Sequence, residues 1–264
     1  MRVLRSIVMA FSLYSRIPMP KLEWKDEDMK YCMCAFPLVG VIQGLFAIII
    51  YQLLRYCRAG NVMTAGIMTV FPILFTGGIH MDGLLDTYDA LCSYGDKERK
   101  LKILKDPHVG GFAVIHAIVY MLLAFVCWNE LTEKTSLLGR GFELICSVFA
   151  GFIISRILSG ISVVRFRKAK DDGMVSDISS AQDKKCFVIL LVMLFFVFVP
   201  AFIFLRENVV ILLISLPVFF YYRYRSYREF GGITGDLAGW FLQLCELAVL
   251  LCATLLALFY GLVV

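Results

Sequence analysis

The chain has 264 residues, of which 60% are hydrophobic and only 18% are charged, and its formal net charge at pH 7 is +5. Its mean hydropathy of +0.79 is far above that of a soluble globular protein, so the composition excludes that class and indicates a polytopic membrane protein. Apolar runs cover nearly the whole chain, so we expect an all-α fold in which residues 1–264 form one membrane-embedded domain.

The first predicted element is short, and seven apolar runs follow it. Residues 1–15 place Arg2 and Arg5 among apolar side chains, which favours an amphipathic helix lying at the membrane interface. Most of the later runs reach the length of about 20 residues that crosses the hydrocarbon core, while the sixth is short and contains Pro217. The predicted spans are 31–54, 61–79, 109–128, 142–164, 186–205, 208–222 and 237–263.

Lysine and arginine between these spans predict how the chain crosses the membrane. The segments outside the spans alternate, so that 20 basic residues fall on one side and five on the other. Basic loops stay in the cytoplasm, so we expect a multi-pass protein of the cell (inner) membrane with its amino terminus inside and its carboxyl terminus outside. These loops would suit a polyanionic phosphate substrate; alternatively, they reflect topology alone and contact anionic lipid.

Three carboxylates follow the second apolar run. Asp82, Asp86 and Asp89 stand at i, i+4 and i+7, so on a helix they share one face over a rise of about 10 Å. We call these three residues the acid stripe. Carboxylates this close repel one another unless a cation or protons compensate. The pattern favours a site for divalent metal over an acidic helix start capped by an aspartate. His80, two residues earlier, is either a structural histidine or a group that orients a ligand or binds phosphate.

A second group of ionisable residues belongs to the last span and the middle of the chain. Asp236 opens the last span, where an acid is either a metal ligand or an N-cap. Glu246 lies about 15 Å further along that helix, inside an apolar run, and an ionisable group there indicates function and a partner. Arg156 in the fourth span is the basic candidate. It would either pair with Glu246 or contact a phosphate, and the sequence leaves both open.

The residues alone therefore favour a cytoplasm-facing, metal-dependent phosphotransferase embedded in the membrane. The sequence contains no phosphate-binding glycine loop of the Walker type, no Gly-x-Ser-x-Gly and no His-Glu-x-x-His. Two rival interpretations are a lipid CDP-alcohol phosphotransferase, which would share the metals, and a cation-coupled transporter, in which Glu246 and the acid stripe carry ions.

Several motifs stand in a fixed order along the chain. They are Ser15-Arg16-Ile17-Pro18-Met19-Pro20; Phe36-Pro37-Leu38-Val39-Gly40; Thr76-Gly77-Gly78-x-His80-x-Asp82-Gly83-Leu84-x-Asp86-Thr87-x-Asp89; Lys105-Asp106 with Gly110; Ser155-Arg156; and Gly232-x-Thr234-Gly235-Asp236-x-x-Gly239 with Glu246. Together, over essentially the full length, they resemble the adenosylcobinamide-GDP ribazoletransferase family, also called the cobalamin synthases. Three positions depart from the family pattern. Gln243 stands where the family often has a second glutamate, Ala90 where it usually has glycine, and Ser15 where it has threonine.

The resemblance implies a reaction, a metal and partners. The 3′-hydroxyl of α-ribazole, or of its 5′-phosphate, would attack the phosphorus attached to cobinamide in adenosylcobinamide-GDP. GMP would leave, and adenosylcobalamin or its 5′-phosphate would form, in the last assembly step of cobalamin biosynthesis. Mg²⁺ is the implied cofactor. Contact with membrane lipid is expected, a nucleic-acid partner is not, and an oligomer is compatible with the sequence.

The resemblance and the spacing together assign roles to individual residues. The expected metal ligands are Asp82, Asp86, Asp89, Asp236 and Glu246. The expected catalytic residues are Asp86, Asp89 and Arg156, with Asp89 as a ligand or as the base that takes the hydroxyl proton. The expected substrate-binding residues are Arg16, His80, Lys105, Arg165, Thr234 and Gly235.

Overall fold

The computed structural model of the protein describes residues 2–21, 29–137, 141–169, 178, 185–205 and 208–263. Within these ranges we number eleven α-helices in chain order. They are α1 (Arg2–Tyr14), α2 (Cys32–Tyr56), α3 (Asn61–Thr76), α4 (Ile79–Cys92), α5 (Lys97–Ile103), α6 (Gly111–Leu137), α7 (Gly141–Arg165), α8 (Lys185–Leu205), α9 (Val209–Leu213), α10 (Ser215–Glu229) and α11 (Gly235–Val263).

Six helical stretches in this part of the chain are long and apolar enough to cross a membrane. Five of them lie in the helices α2, α6, α7, α8 and α11, and the sixth joins α9 to α10 over Val209–Glu229. Counting the bent pair of α3 and α4 as one span raises the number to seven. The structure thus confirms the predicted all-α, polytopic fold, with the short helix α1 packed against α2.

The second predicted span is shorter than expected. Helix α3 ends at Thr76, and α4 leaves it at an angle of 94°. The turn uses Gly77 and Gly78, whose φ angles of +68° and +84° lie in the left-handed region that favours glycine. Because of this turn, α4 and its acid stripe lie beyond the apolar span instead of continuing it.

Two other spans extend beyond their predicted ends. The third was predicted to end at residue 128, but α6 continues to Leu137. The sixth was predicted to end at 222, but α10 continues to Glu229. The stretch is interrupted at Ile214, between α9 and α10, and Pro217, in the first turn of α10, has no N–H to donate to the carbonyl of Leu213.

Helix α7 forms the centre of the bundle. Most of its length is buried against α2, α8 and α11. Gly40 lets α2 approach it closely, because a Cβ atom there would lie 2.5 Å from the carbonyl oxygen of Phe152. The close packing of α2 against α7 encloses Arg156 in the interior of the bundle.

The polar connections of the chain meet at one end of the bundle, which we call the polar end. There the N–H of Arg16 donates to the carbonyl of Phe75 at 2.8 Å, and the N–H of Ile233 donates to the carbonyl of Arg167 at 2.9 Å. At the other end the hydroxyl groups of Tyr51 and Thr135 lie 3.2 Å apart. The first two contacts join α1 to α3 and the end of α7 to the segment before α11.

Candidate active site at the polar end of the bundle

Helices α4 and α11 meet without intervening side chains at the polar end. A Cβ atom on Gly83 would lie 2.6 Å from the carbonyl oxygen of Asp236 and 3.1 Å from its Cα. One turn into α11, a Cβ atom on Gly239 would lie 3.2 Å from the carbonyl oxygen of His80. Two glycines thus allow a backbone-to-backbone approach that places Asp236 beside the acid stripe.

The carboxylates of the two helices influence one another. Asp82 is exposed, and Asp86 and Asp236 are partly buried. Burial, followed by the negative charges of Asp82, Asp236 and Asp89, raises the pKa of Asp86 to about 7. Negative charges this close to a carboxyl group need protons or a cation to coexist with its ionised form. The site therefore has the electrostatics of a cation site.

The arrangement fits a cation held by few protein ligands. Among the described residues, no group of three or more His, Cys, Asp or Glu side chains is placed to hold one metal ion. Mg²⁺ needs less than that, because it usually takes one or two carboxylates and completes its six positions with water and substrate phosphates. Carboxylate oxygens of Asp82, Asp86 and Asp236 are the hard donors that Mg²⁺ prefers.

Asp89 has a different environment from the other two acids of the stripe. One of its oxygens accepts the N–H of Gly110 at 2.5 Å, and the other accepts the N–H of Ala113 at 2.7 Å. A carboxylate at a helix start satisfies N–H groups that have no partner within the helix. The structure thus places Asp89 as the cap of α6, which differs from its predicted role as metal ligand or base.

Glu246 is remote from the acid stripe and forms an ion pair with Arg156. Both residues are buried, and the Arg156 Nη1 atom contacts Glu246 Oε1. The Nη2 atom of Arg156 donates to Gln43 Oε1 at 2.8 Å. Ten residues of α11, about 15 Å, separate Glu246 from Asp236. Of the two alternatives for Arg156, the structure shows the pair. It does not bring Glu246 to the predicted metal site or Arg156 to the acid stripe.

We expect this pair to make stability depend on both partners. Replacing Glu246 with leucine should lower the free energy of unfolding by about 3–5 kcal/mol, because the buried Arg156 charge loses its partner. Combining it with Arg156→Leu should recover much of that loss, since an apolar pair needs no charge compensation. Thermal unfolding in detergent measures both variants. A double variant less stable than Glu246→Leu would contradict the interpretation.

The predicted substrate-binding residues divide into exposed and buried groups. Arg16, Lys105 and Arg165 are exposed. The side chain of Arg16 lies against Gly77, and the guanidinium of Arg165 lies 4.4 Å from the ring centre of Phe187. His80 is buried, with its ring 6.1 Å from those of both Tyr14 and Phe36. The structure therefore places three basic side chains at the surface and His80 in the interior.

Thr234 and Gly235 form the start of α11. The hydroxyl of Thr234 accepts the N–H of Leu237 at 3.3 Å, so Thr234 caps this helix and Asp236 stands in its first turn. The preceding segment is held by the parallel bridge between Lys168 and Ile233. This end of α11 is thereby fixed against the end of α7.

Comparison with known proteins identifies the family. Residues 6–254 match the family described as cobalamin-5-phosphate synthase. The chain belongs to this family. A protein of Lachnoclostridium phytofermentans named adenosylcobinamide-GDP ribazoletransferase is 42% identical over 94% of this chain and 92% of its own length. Proteins of the same name from Treponema denticola (94% and 96% covered) and Clostridium perfringens (92% and 94% covered) are 34% and 30% identical. No solved structure matches.

In this member of the cobalamin-5-phosphate synthase family, α4, α6, α10 and α11 also carry a cluster of aromatic and basic side chains, which we call the wall. The rings of Tyr88 on α4 and His116 on α6 stack at 3.8 Å, and Trp240 on α11 lies 6.2 Å from Tyr88, nearly perpendicular to it. Arg225 on α10 acts electrostatically on Tyr88 and Cys92. Its Nε atom is buried without a hydrogen-bond partner among the described residues.

Sequence reasoning did not single out this wall. His116 stands within an apolar run, and Arg225 stands in a basic segment that topology alone explains. The one signal was the spacing of Tyr221 and Arg225 at i and i+4, which puts both on the side of α10 that faces Trp240 and α4.

Proposed function

We propose that this chain is an adenosylcobinamide-GDP ribazoletransferase. It transfers the phosphocobinamide group to the ribose 3′-hydroxyl of α-ribazole, or of its 5′-phosphate, and releases GMP. The observation that carries the proposal is the 42% identity, over 94% of the chain, with a protein of that name. The convergence of Asp82, Asp86 and Asp236 at the polar end supports it, because a diphosphate substrate brings negative charge that a cation must compensate.

We further propose Mg²⁺ as the cofactor, held by one or two carboxylates of the set Asp82, Asp86 and Asp236, with water and substrate phosphates as its other ligands. When bound, the cation would neutralise the diphosphate and stabilise the leaving GMP. Hard carboxylate donors on two helices and the raised pKa of Asp86 support this assignment.

The chain's own groups would supply positioning and charge. Arg16, Lys105 and Arg165 provide guanidinium and ammonium donors for the phosphates. Phosphoryl transfer requires little from a protein beyond such positioning and electrostatic stabilisation. As a ligand of the cation, Asp86 would be ionised, because a bound divalent ion lowers the pKa of a carboxyl group that it contacts.

We place the site at the cytoplasmic face of the inner membrane. The distribution of 20 basic residues on one side and five on the other supports this orientation. The basic loops that carry this bias include Arg165, Lys105 and Arg225, which belong to the same end of the bundle as the acid stripe.

The test is GMP release by the purified, reconstituted protein. We expect GMP to form from adenosylcobinamide-GDP only when α-ribazole or its 5′-phosphate and Mg²⁺ are both present, and to stop with EDTA. No membrane gradient should be needed, which separates the enzyme from a transporter. Turnover of CDP-diacylglycerol without any turnover of adenosylcobinamide-GDP would contradict the proposal and favour a lipid enzyme.

A further inference from the structure

The last turns of α10 carry a groove that the proposed reaction does not use. It has a volume of about 470 Å³ and is lined by Phe220, Arg223, Tyr224, Tyr227 and Arg228. These positions correspond to i, i+3, i+4, i+7 and i+8, so they form one side of the helix. The groove is wide open, so a ligand in it would lie along the helix and remain partly exposed.

The groove faces away from the candidate active site. The side of α10 toward α11 and α4 carries Tyr221, whose ring lies 5.9 Å from that of Trp240. The side toward the core carries the buried residues Tyr222 and Ser226. The groove occupies the remaining side, where Phe220 is 62% and Tyr224 is 55% exposed. A ligand there would approach from the membrane and not from the acid stripe.

Two guanidinium groups are held in the groove by aromatic rings. The guanidinium of Arg223 lies 5.3 Å from the ring centre of Phe166 and 5.6 Å from that of Tyr227. Arg228 donates to the hydroxyl of Tyr224 at 2.6 Å. Such contacts fix a guanidinium while leaving its charge uncompensated.

In the described part of the chain, Arg223 has no carboxylate partner, and Arg228 shares one with Lys100. There, no carboxylate lies within ion-pair distance of Arg223. The nearest carboxylate oxygen to Arg228 Nε is Oε1 of Glu229 at 3.6 Å, and the other oxygen of Glu229 is bound by Lys100 at 2.6 Å. The groove therefore presents net positive charge.

The position of the groove along the helix indicates which anion it meets. It lies at the end of the stretch Val209–Glu229, where apolar side chains give way to tyrosine and arginine. Tyrosine and arginine at the end of a membrane-crossing helix stand at the level of the lipid head groups. A phosphate would meet the two guanidinium groups, while the exposed ring of Phe220 would contact glycerol and acyl carbons.

We propose that this groove binds the head group of an anionic phospholipid. A free phosphate has the same anionic chemistry, but it has no apolar part to cover Phe220. The proposal is independent of the transferase activity, because no groove residue belongs to the candidate active site.

Binding of short-chain lipids to the delipidated, full-length protein in neutral detergent tests the proposal. By titration calorimetry, dihexanoyl phosphatidylglycerol should bind about tenfold tighter than dihexanoyl phosphatidylcholine, and Arg223→Gln with Arg228→Gln should abolish that preference. The matched control is Arg55→Gln with Arg58→Gln, which removes two arginines at the other end of the bundle and should keep the preference. GMP release by the same variants measures the transferase activity separately from lipid binding.

Three results would overturn the proposal. The first is equal binding of the two lipids, and the second is an unchanged preference in the double variant. The third is binding of inorganic phosphate as tight as that of phosphatidylglycerol, which would make the groove a site for free phosphate. If the double variant does not fold, Arg228→Gln alone decides, because its side chain is 64% exposed. A lowered preference in that variant supports the proposal, and an unchanged one contradicts it.

Discussion

Replacement of Asp82 by asparagine is expected to lower the rate of GMP release by about two to three orders of magnitude while leaving the protein folded. The loss follows because an amide removes one negative charge from the proposed cation site, and a bound cation contributes several kcal/mol of charge stabilisation. Folding should be unaffected, because Asp82 is exposed on α4. Single-turnover GMP release and the thermal unfolding of the detergent-solubilised variant measure the two effects separately.

The matched control is Glu98→Gln on the neighbouring helix α5. Glu98 is also an exposed acid, so this change removes the same charge from the same end of the bundle. We expect Glu98→Gln to retain normal turnover. Wild-type activity in Asp82→Asn would remove this residue from the site, and equal losses in both variants would indicate a general charge effect.

Replacement of Gly83 by alanine is expected to lower turnover by about a hundredfold. The new Cβ atom would lie 2.6 Å from the carbonyl oxygen of Asp236, so α4 and α11 would have to separate. A displacement of about 1 Å is enough to cost two orders of magnitude in a site that works by positioning. Alanine favours the helix more than glycine does, so α4 itself should persist.

Gly66→Ala on α3 is the matched control for this substitution. There the nearest atom to a new Cβ would be Cε2 of Phe125 at 3.9 Å, which is an ordinary contact. This variant should turn over substrate normally. Normal turnover in Gly83→Ala would mean that the close approach of the two helices does not position the site.

The sequence predicted the class of fold because hydropathy reports directly on the membrane. It predicted helix lengths less well, because hydropathy reports on the membrane and not on the helix. The third span was expected to end at residue 128, where polar residues begin, but α6 continues through Asn129, Glu130 and Lys134. Hydropathy measures the apolar thickness that a helix crosses, while the helix itself can extend beyond it. The bend after Thr76 was not predicted, because hydropathy does not report the angle between consecutive helices.

The candidate site could be predicted in part. The spacing of Asp82 and Asp86 and their helical face follow from local sequence, and the motifs predicted the family, which the comparison confirms. The environment of Asp89 depends on Gly110, 21 residues away, and no local pattern specifies such a contact. The pair of Arg156 and Glu246 joins residues 90 apart, so the sequence could offer it only as one of two alternatives.

Binding of Mn²⁺, a spectroscopic substitute for Mg²⁺, tests the central claim that carboxylates from α4 and α11 form one cation site. The measurement is electron paramagnetic resonance titration of the detergent-solubilised protein, with Glu98→Gln as the control. We expect Asp86→Asn on α4 and Asp236→Asn on α11 each to weaken Mn²⁺ binding by about tenfold or more, because each removes a charged oxygen donor. Wild-type affinity in either variant would contradict the claim.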